Sequence, residues 1–132
     1  MATRLLLAVL ASGLAGGCSG VTTVSELPAT VTVDFGEEVR VADPALTVRF
    51  VEVVQDSRCP VGATCVSEGS VTLRFSVTDA EGTLDALILR SDQGPVISDG
   101  VSFRLVKVEP VPRLGTVTDP RDYQATLELT LP

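Results

Sequence analysis

Ser70-Val71-Thr72-Leu73-Arg74-Phe75-Ser76-Val77-Thr78 decides the fold. Val71, Leu73, Phe75 and Val77 fall on one side of an extended chain, and Thr72, Arg74, Ser76 and Thr78 on the other. Successive side chains of a strand point to opposite faces, so strict period 2 marks a strand with one face in a core and one in water. Asp79-Ala80-Glu81-Gly82 follows as a hairpin loop, with Gly82 suited to a left-handed conformation. Leu84 to Leu89 then returns as the partner strand.

The same pattern recurs outward from this hairpin. Segment 45–54 sets Leu46, Val48 and Phe50 on one face, then runs apolar through Val51, Val53 and Val54 with only Glu52 between them. That shift predicts a bulge or burial on both faces. Val31, Val33 and Phe35 alternate with Thr30, Thr32 and Asp34, and Gly36 breaks the run before Val39 and Val41. Downstream, Ser91 to Gly100 reads as a polar loop, and Val101, Phe103 and Leu105 open a strand that reaches Glu109. Pro110, Pro112, Gly115 and Pro120 punctuate a long connection, after which Tyr123, Ala125, Leu127, Leu129 and Leu131 alternate with polar residues. Outside the first residues no window carries helical spacing. About seven or eight short strands with Gly/Pro-rich turns predict an all-β chain. The expected form is an antiparallel β-sandwich, immunoglobulin-like or Greek-key, with a small β-barrel as the alternative. Tyr123 opens a strand after Asp119-Pro120-Arg121-Asp122 and resembles the tyrosine corner of immunoglobulin-like domains. A plain core-edge tyrosine is the competing reading.

The N-terminus carries a different signal. Arg4 precedes an apolar run from Leu5 to Ala11, and smaller residues continue to Gly17. These are the parts of an export signal, and the apolar stretch is too short for a bilayer core, which needs about 20 helical residues. Leu14-Ala15-Gly16-Gly17-Cys18 resembles the lipobox at which bacterial lipoproteins are acylated and cleaved. It differs in having Ala15 where Leu is usual. Residues 1–17 are therefore expected to be a lipoprotein signal peptide, Cys18 the lipidated residue, 18–27 a tether and 28–132 a single β-sandwich domain. Within the tether, Val21–Val24 is a candidate first edge strand. Ordinary secretion is the rival reading. The implied location is the bacterial cell envelope, through a lipid anchor, and Ser19 resembles the residue that permits outer-membrane sorting where two membranes exist.

Charge and cysteine content narrow the function. The chain holds 10 basic and 17 acidic residues. Loss of the leader removes only Arg4, leaving a net charge of −8 on residues 18–132. Nucleic acid is an unsuitable partner, since phosphate binding wants a basic patch, and anionic lipid attracts this surface no better. With Cys18 assigned to lipid, Cys59 and Cys65 remain as an even pair in an exported chain, the setting of disulfides. A metal site is the rival, weakened because the chain has no histidine. A redox-active pair is another, although the spacing is not Cys-x-x-Cys.

Asp56-Ser57-Arg58-Cys59-Pro60, followed by Cys65 and Gly69, is the most distinctive internal stretch. It resembles a D-S-R-C-P-x4-C-x3-G signature of small bacterial envelope proteins and lipoproteins of undetermined role. The resemblance covers about 14 residues and implies a β-rich domain and a disulfide, with no known activity. Members often carry Trp two residues after the second cysteine, where this chain has Ser67. Asp56 and Ser57 can cap a turn, Asp56 and Arg58 can pair across it, and Pro60 stiffens the loop. The two readings are a braced connection and a partner-binding loop presenting Asp56, Arg58 and Val61.

Catalysis has little to work with. Without histidine the common general base near neutral pH is missing, and Ser-His-Asp or Cys-His arrangements cannot form. No carboxylate pair stands out, so no catalytic residue, no cofactor and no metal ligand is assigned. Asp79, Glu81, Asp92, Asp99, Asp119 and Asp122 fall in predicted turns without a calcium-loop spacing. The expected function is a non-catalytic envelope lipoprotein whose β-domain is structural or binds another envelope protein. The alternatives are a protease inhibitor using loop 56–65, with Arg58 or Val61 entering the protease, and calcium or small-ligand binding by the acidic loops.

Overall fold

A computed structural model describes residues 21–132; the leader 1–17, Cys18 and its two successors lie outside the described residues. Among the described residues nine strands form: β1 (Thr22–Val24), β2 (Ala29–Asp34), β3 (Glu38–Val41), β4 (Leu46–Asp56), β5 (Val71–Asp79), β6 (Leu84–Arg90), β7 (Val96–Ser98), β8 (Val101–Glu109) and β9 (Gln124–Thr130). They make two separate sheets, in the orders β1-β3-β4-β5-β6 and β2-β9-β8-β7. The result is a β-sandwich and not a closed barrel. β3 to β6 run as one meander and β7 to β9 as another, with β2 carried across to β9. This wiring is simpler than the immunoglobulin-like or Greek-key order expected alongside the sandwich.

Register follows the alternation. Phe50 lies opposite Phe75, and Phe75 opposite Leu87, so one row of large side chains crosses the first sheet. Val31, Leu127 and Leu105 form the matching row in the second. These rows face each other across a core of 22 buried apolar residues, each worth about 1.5–3 kcal/mol of burial for Val, Leu or Phe. Phe35 meets Phe50 edge-on at 5.3 Å between ring centroids. The apolar run in β4 is explained by two register shifts, Phe50/Glu52 and Val53/Gln55, which turn Val51 and Val54 outward.

Two boundaries differ from the sequence reading. The folded body begins before Pro28: β1 pairs parallel with β3, and Val24 joins the core. The polar loop 91–100 contains β7, which pairs antiparallel with β8 at the sheet edge. β1 falls where Val21–Val24 was expected as a first edge strand, whereas β7, also three residues long and at an edge, is too short to show period 2.

The strands give the sandwich two unlike ends. At one, the hairpin end, lie the turns β3–β4, β5–β6 and β7–β8. At the other, the disulfide end, lie the connections 57–70 and 110–122. On the outer strand β6, Asp85 takes the inward-facing register opposite Val77 yet remains exposed at the hairpin end.

Candidate functional site

The distinctive segment sits where β4 leaves the first sheet. Asp56 is the last β4 residue paired with β5, and its partner is Val71. The neck of the loop continues this pairing irregularly: Ser57 N–H donates to the Ser70 carbonyl at 2.7 Å and Cys59 N–H to that of Glu68 at 2.8 Å. The Ser57 hydroxyl also donates to the Ser70 carbonyl and accepts from Ser70 N–H. Gly69 makes the neck possible. Its φ is +67°, and a Cβ there would run into the carbonyl oxygen of Ser57. The glycine of the signature thus has a steric cause.

Beyond the neck, Cys59 and Cys65 form a disulfide with Cα atoms 5.9 Å apart. The pinched loop docks on the β8–β9 connection. Val61 N–H donates to the Pro112 carbonyl at 2.8 Å, and Leu114 N–H donates to the Val61 carbonyl at 3.0 Å. These bonds make a short parallel bridge between Val61 and Arg113.

Behind the loop, Asp56, Arg58 and Tyr123 form a polar node joining the two sheets. Arg58 donates from Nε to Asp56 Oδ1 at 2.9 Å and from Nη2 to Asp56 Oδ2 at 2.7 Å, a fork-on-fork pair. Its guanidinium also donates to the carbonyls of Val108 at 2.7 Å and Pro110 at 3.0 Å, at the end of β8 in the other sheet and just beyond it. Asp56 Oδ1 further accepts from Arg58 N–H, and Oδ2 from the Tyr123 hydroxyl at 2.8 Å. Tyr123 is delivered by a single 3-10 turn, Pro120–Asp122, whose start is capped by the Asp119 side chain accepting from Arg121 N–H. The Tyr123 hydroxyl thus bonds to a side chain in the opposite sheet and not to the backbone a few residues upstream, as a tyrosine corner would.

The electrostatics follow from this closure. Burial by itself would raise the Asp56 carboxyl. Hydrogen bonds from Arg58 and Tyr123 outweigh it, aided by the Arg58 charge, and hold Asp56 below the ordinary carboxylate value. The Asp56 bond raises Arg58 against the opposing effect of burial. Burial first, and the neighbouring carboxylate second, raise the Tyr123 phenol. Side-chain exposure is 17% for Arg58 and 11% for Asp56, so this pair is largely withdrawn from solvent.

The sequence-assigned residues are thus separated by the fold. Asp56 and Arg58, assigned from the sequence as partner-binding side chains, face inward here with their polar atoms engaged on one another, on Tyr123 and on the Val108 and Pro110 carbonyls. Val61 keeps an exposed side chain, but its backbone is pinned to 112–114. Three of the acidic loop residues are engaged locally. Asp79 Oδ1 accepts from Glu81 and Thr83 N–H, Asp92 pairs with Arg90 and Asp119 with Arg121. Arg121 hydrogen bonding holds the Asp119 carboxyl at about 2. Among the described residues no three His, Cys, Asp or Glu side chains converge to hold a metal ion. An open groove between loop 91–95 and the outer face of the second sheet is lined by Ser102, Arg104, Glu128 and Thr130.

Sequence reasoning missed the role of Tyr123 in this node and the carbonyls of Val108 and Pro110. No local signal marks contacts that span 50 or more residues. No family model, curated protein or solved structure matches the chain.

Proposed function

We propose that this protein is a non-catalytic lipoprotein of the bacterial cell envelope, exported by residues 1–17 and anchored through Cys18. Its β-sandwich serves as a structural or partner-binding body. The observation that carries the reading is the use of the distinctive segment. Asp56 and Arg58 are consumed in joining the two sheets, Cys59, Cys65 and Gly69 in shaping the loop and its neck, and both Asp56 carboxylate oxygens are already engaged. A polar cluster built for chemistry would keep a group free to meet a substrate. The disulfide is in keeping with an oxidising compartment, and the D-S-R-C-P signature agrees with small envelope proteins of this kind. The test is metabolic labelling with a fatty-acid probe. Wild-type protein takes up label and partitions with membranes, whereas Cys18→Ser does neither; equal labelling of the two overturns the anchor.

A further inference from the structure

We infer that the disulfide end of the sandwich is a membrane-contact surface, seated in the headgroup layer of the bilayer that holds the anchor. The inference rests on the lipid-anchor reading and adds which face of the body meets the lipid.

Tether length and strand direction carry it. β1 pairs parallel with β3, and Thr22 lies level with Val39 and hence with Val48. β3 runs away from the disulfide end, so the chain before Thr22 arrives from that end. Only four Cα steps separate Cys18 from Thr22, a reach of roughly 13 Å at full extension. The disulfide neck lies farther out: Val48 pairs with Val77 and Asp56 with Val71, a separation of six β5 residues or roughly 20 Å. An acylated Cys18 therefore cannot hold the body away from the bilayer. With the sandwich upright, its disulfide end reaches past the Cα of Cys18 by about the depth of a headgroup layer, which is roughly 5–7 Å per leaflet.

The surface chemistry of that end suits the position. Val66 and Val117 are fully exposed, and Val61, Val111 and Leu114 are more than half exposed. All five lie on loop 59–66 or on the 110–117 connection docked against it. The backbone at Val61 and Leu114 is held by their mutual hydrogen bond and the Val61–Arg113 bridge, and the disulfide fixes Cys65 next to Val66, so little order is lost on contact there. Arg58 is folded inward onto Asp56, whereas Arg113 and Glu68 stand exposed among these aliphatic side chains, one charge of each sign. With a net charge of −8 after the leader, attraction to anionic lipid is not what seats this end; its aliphatic side chains are.

Tryptophan reporters provide the test, because the chain has none. The disulfide occupies two of the three cysteines, leaving Cys18 as the free thiol. The chain from Cys18 onward, which contains the whole core, is coupled there to a maleimide lipid in phosphatidylcholine vesicles carrying brominated acyl chains. Val66→Trp and Val117→Trp should show blue-shifted emission and quenching several-fold stronger than Leu84→Trp at the hairpin end. Equal, solvent-like emission at all three positions overturns the inference, as does quenching confined to Leu84→Trp. Thermal melts matching wild type confirm that each variant is folded. Because the lipid is attached chemically, a negative result leaves native acylation untouched, and a failed fatty-acid labelling leaves this measurement intact.

Discussion

The two ends of the sandwich reverse the same chain by different means. At the hairpin end reversal is local. Asp79 caps its own turn through Glu81 and Thr83 N–H, and Asp99 and Gly100 both take positive φ, as a two-residue hairpin turn requires. At the disulfide end the connections are long and need added cross-links: a disulfide within the loop, a glycine under a carbonyl, and two links to residues about 50 positions away, from Arg58 to the Val108 and Pro110 carbonyls and from Val61 to residues 112–114. A long connection costs more conformational entropy to order than a tight turn. In a small domain with one modest core, that order has to come from specific cross-links.

Two glycines set the contrast most sharply. Gly69 and Gly82 both have positive φ, but a Cβ at Gly82 meets open space while one at Gly69 meets the Ser57 carbonyl. Both alanine variants suffer the left-handed backbone penalty, about 1–2 kcal/mol. Gly69→Ala adds overpacking against backbone and should lose about 3–5 kcal/mol in all. Urea unfolding of the two variants measures the gap, and equal losses would remove the distinction between the ends.

The node comes next. Asp56→Asn leaves Arg58 largely buried without its counter-charge and should cost about 2–4 kcal/mol at neutral pH, less than a fully buried pair because some exposure remains. The folded Asp56 carboxyl lies below its ordinary value. Its stabilisation is therefore complete above the unfolded value, about 3.9, and is lost as pH falls through the lower folded value. Melts at descending pH should show wild type and Asp56→Asn converging below about pH 4. A gap that stays constant in acid would assign the loss to packing.

Removing the bridge sharpens the comparison further. Cys59→Ala/Cys65→Ala should lower stability by about 2–2.5 kcal/mol, the entropy of closing so small a loop. Limited proteolysis should then cut within 57–70 before the hairpin-end turns. Smallest is the loss of a single turn cap: Asp79→Ala should cost about 1 kcal/mol and leave the disulfide end untouched. A larger loss would mean that the hairpin end is not locally determined.

The same division governs what the sequence disclosed. Val71, Leu73, Phe75 and Val77 alternate in sequence and are all fully buried in the sandwich, because strand periodicity is a local property. β9 was legible for the same reason. β7 was missed although Asp99-Gly100 is a hairpin dipeptide, because three residues cannot display alternation. The spacing of Cys59 and Cys65 and the pairing of Asp56 with Arg58 could be read from neighbours in sequence. The inward turn of Arg58 could not, since its carbonyl partners are 50 and 52 residues away.

The placement of Asp85 has a consequence for copies of this protein that share a crowded surface. β6 is the outermost strand of its sheet, and Leu84, Ala86 and Ile88 make its solvent face apolar. Such a rim invites a neighbouring molecule to add its own strand and begin a fibril. A strand added beside β6 would close in on the Asp85 carboxylate, which takes the inward-facing register, and would cost part of its hydration. An inward-pointing acidic side chain of this kind is one of the devices that discourage edge-to-edge pairing.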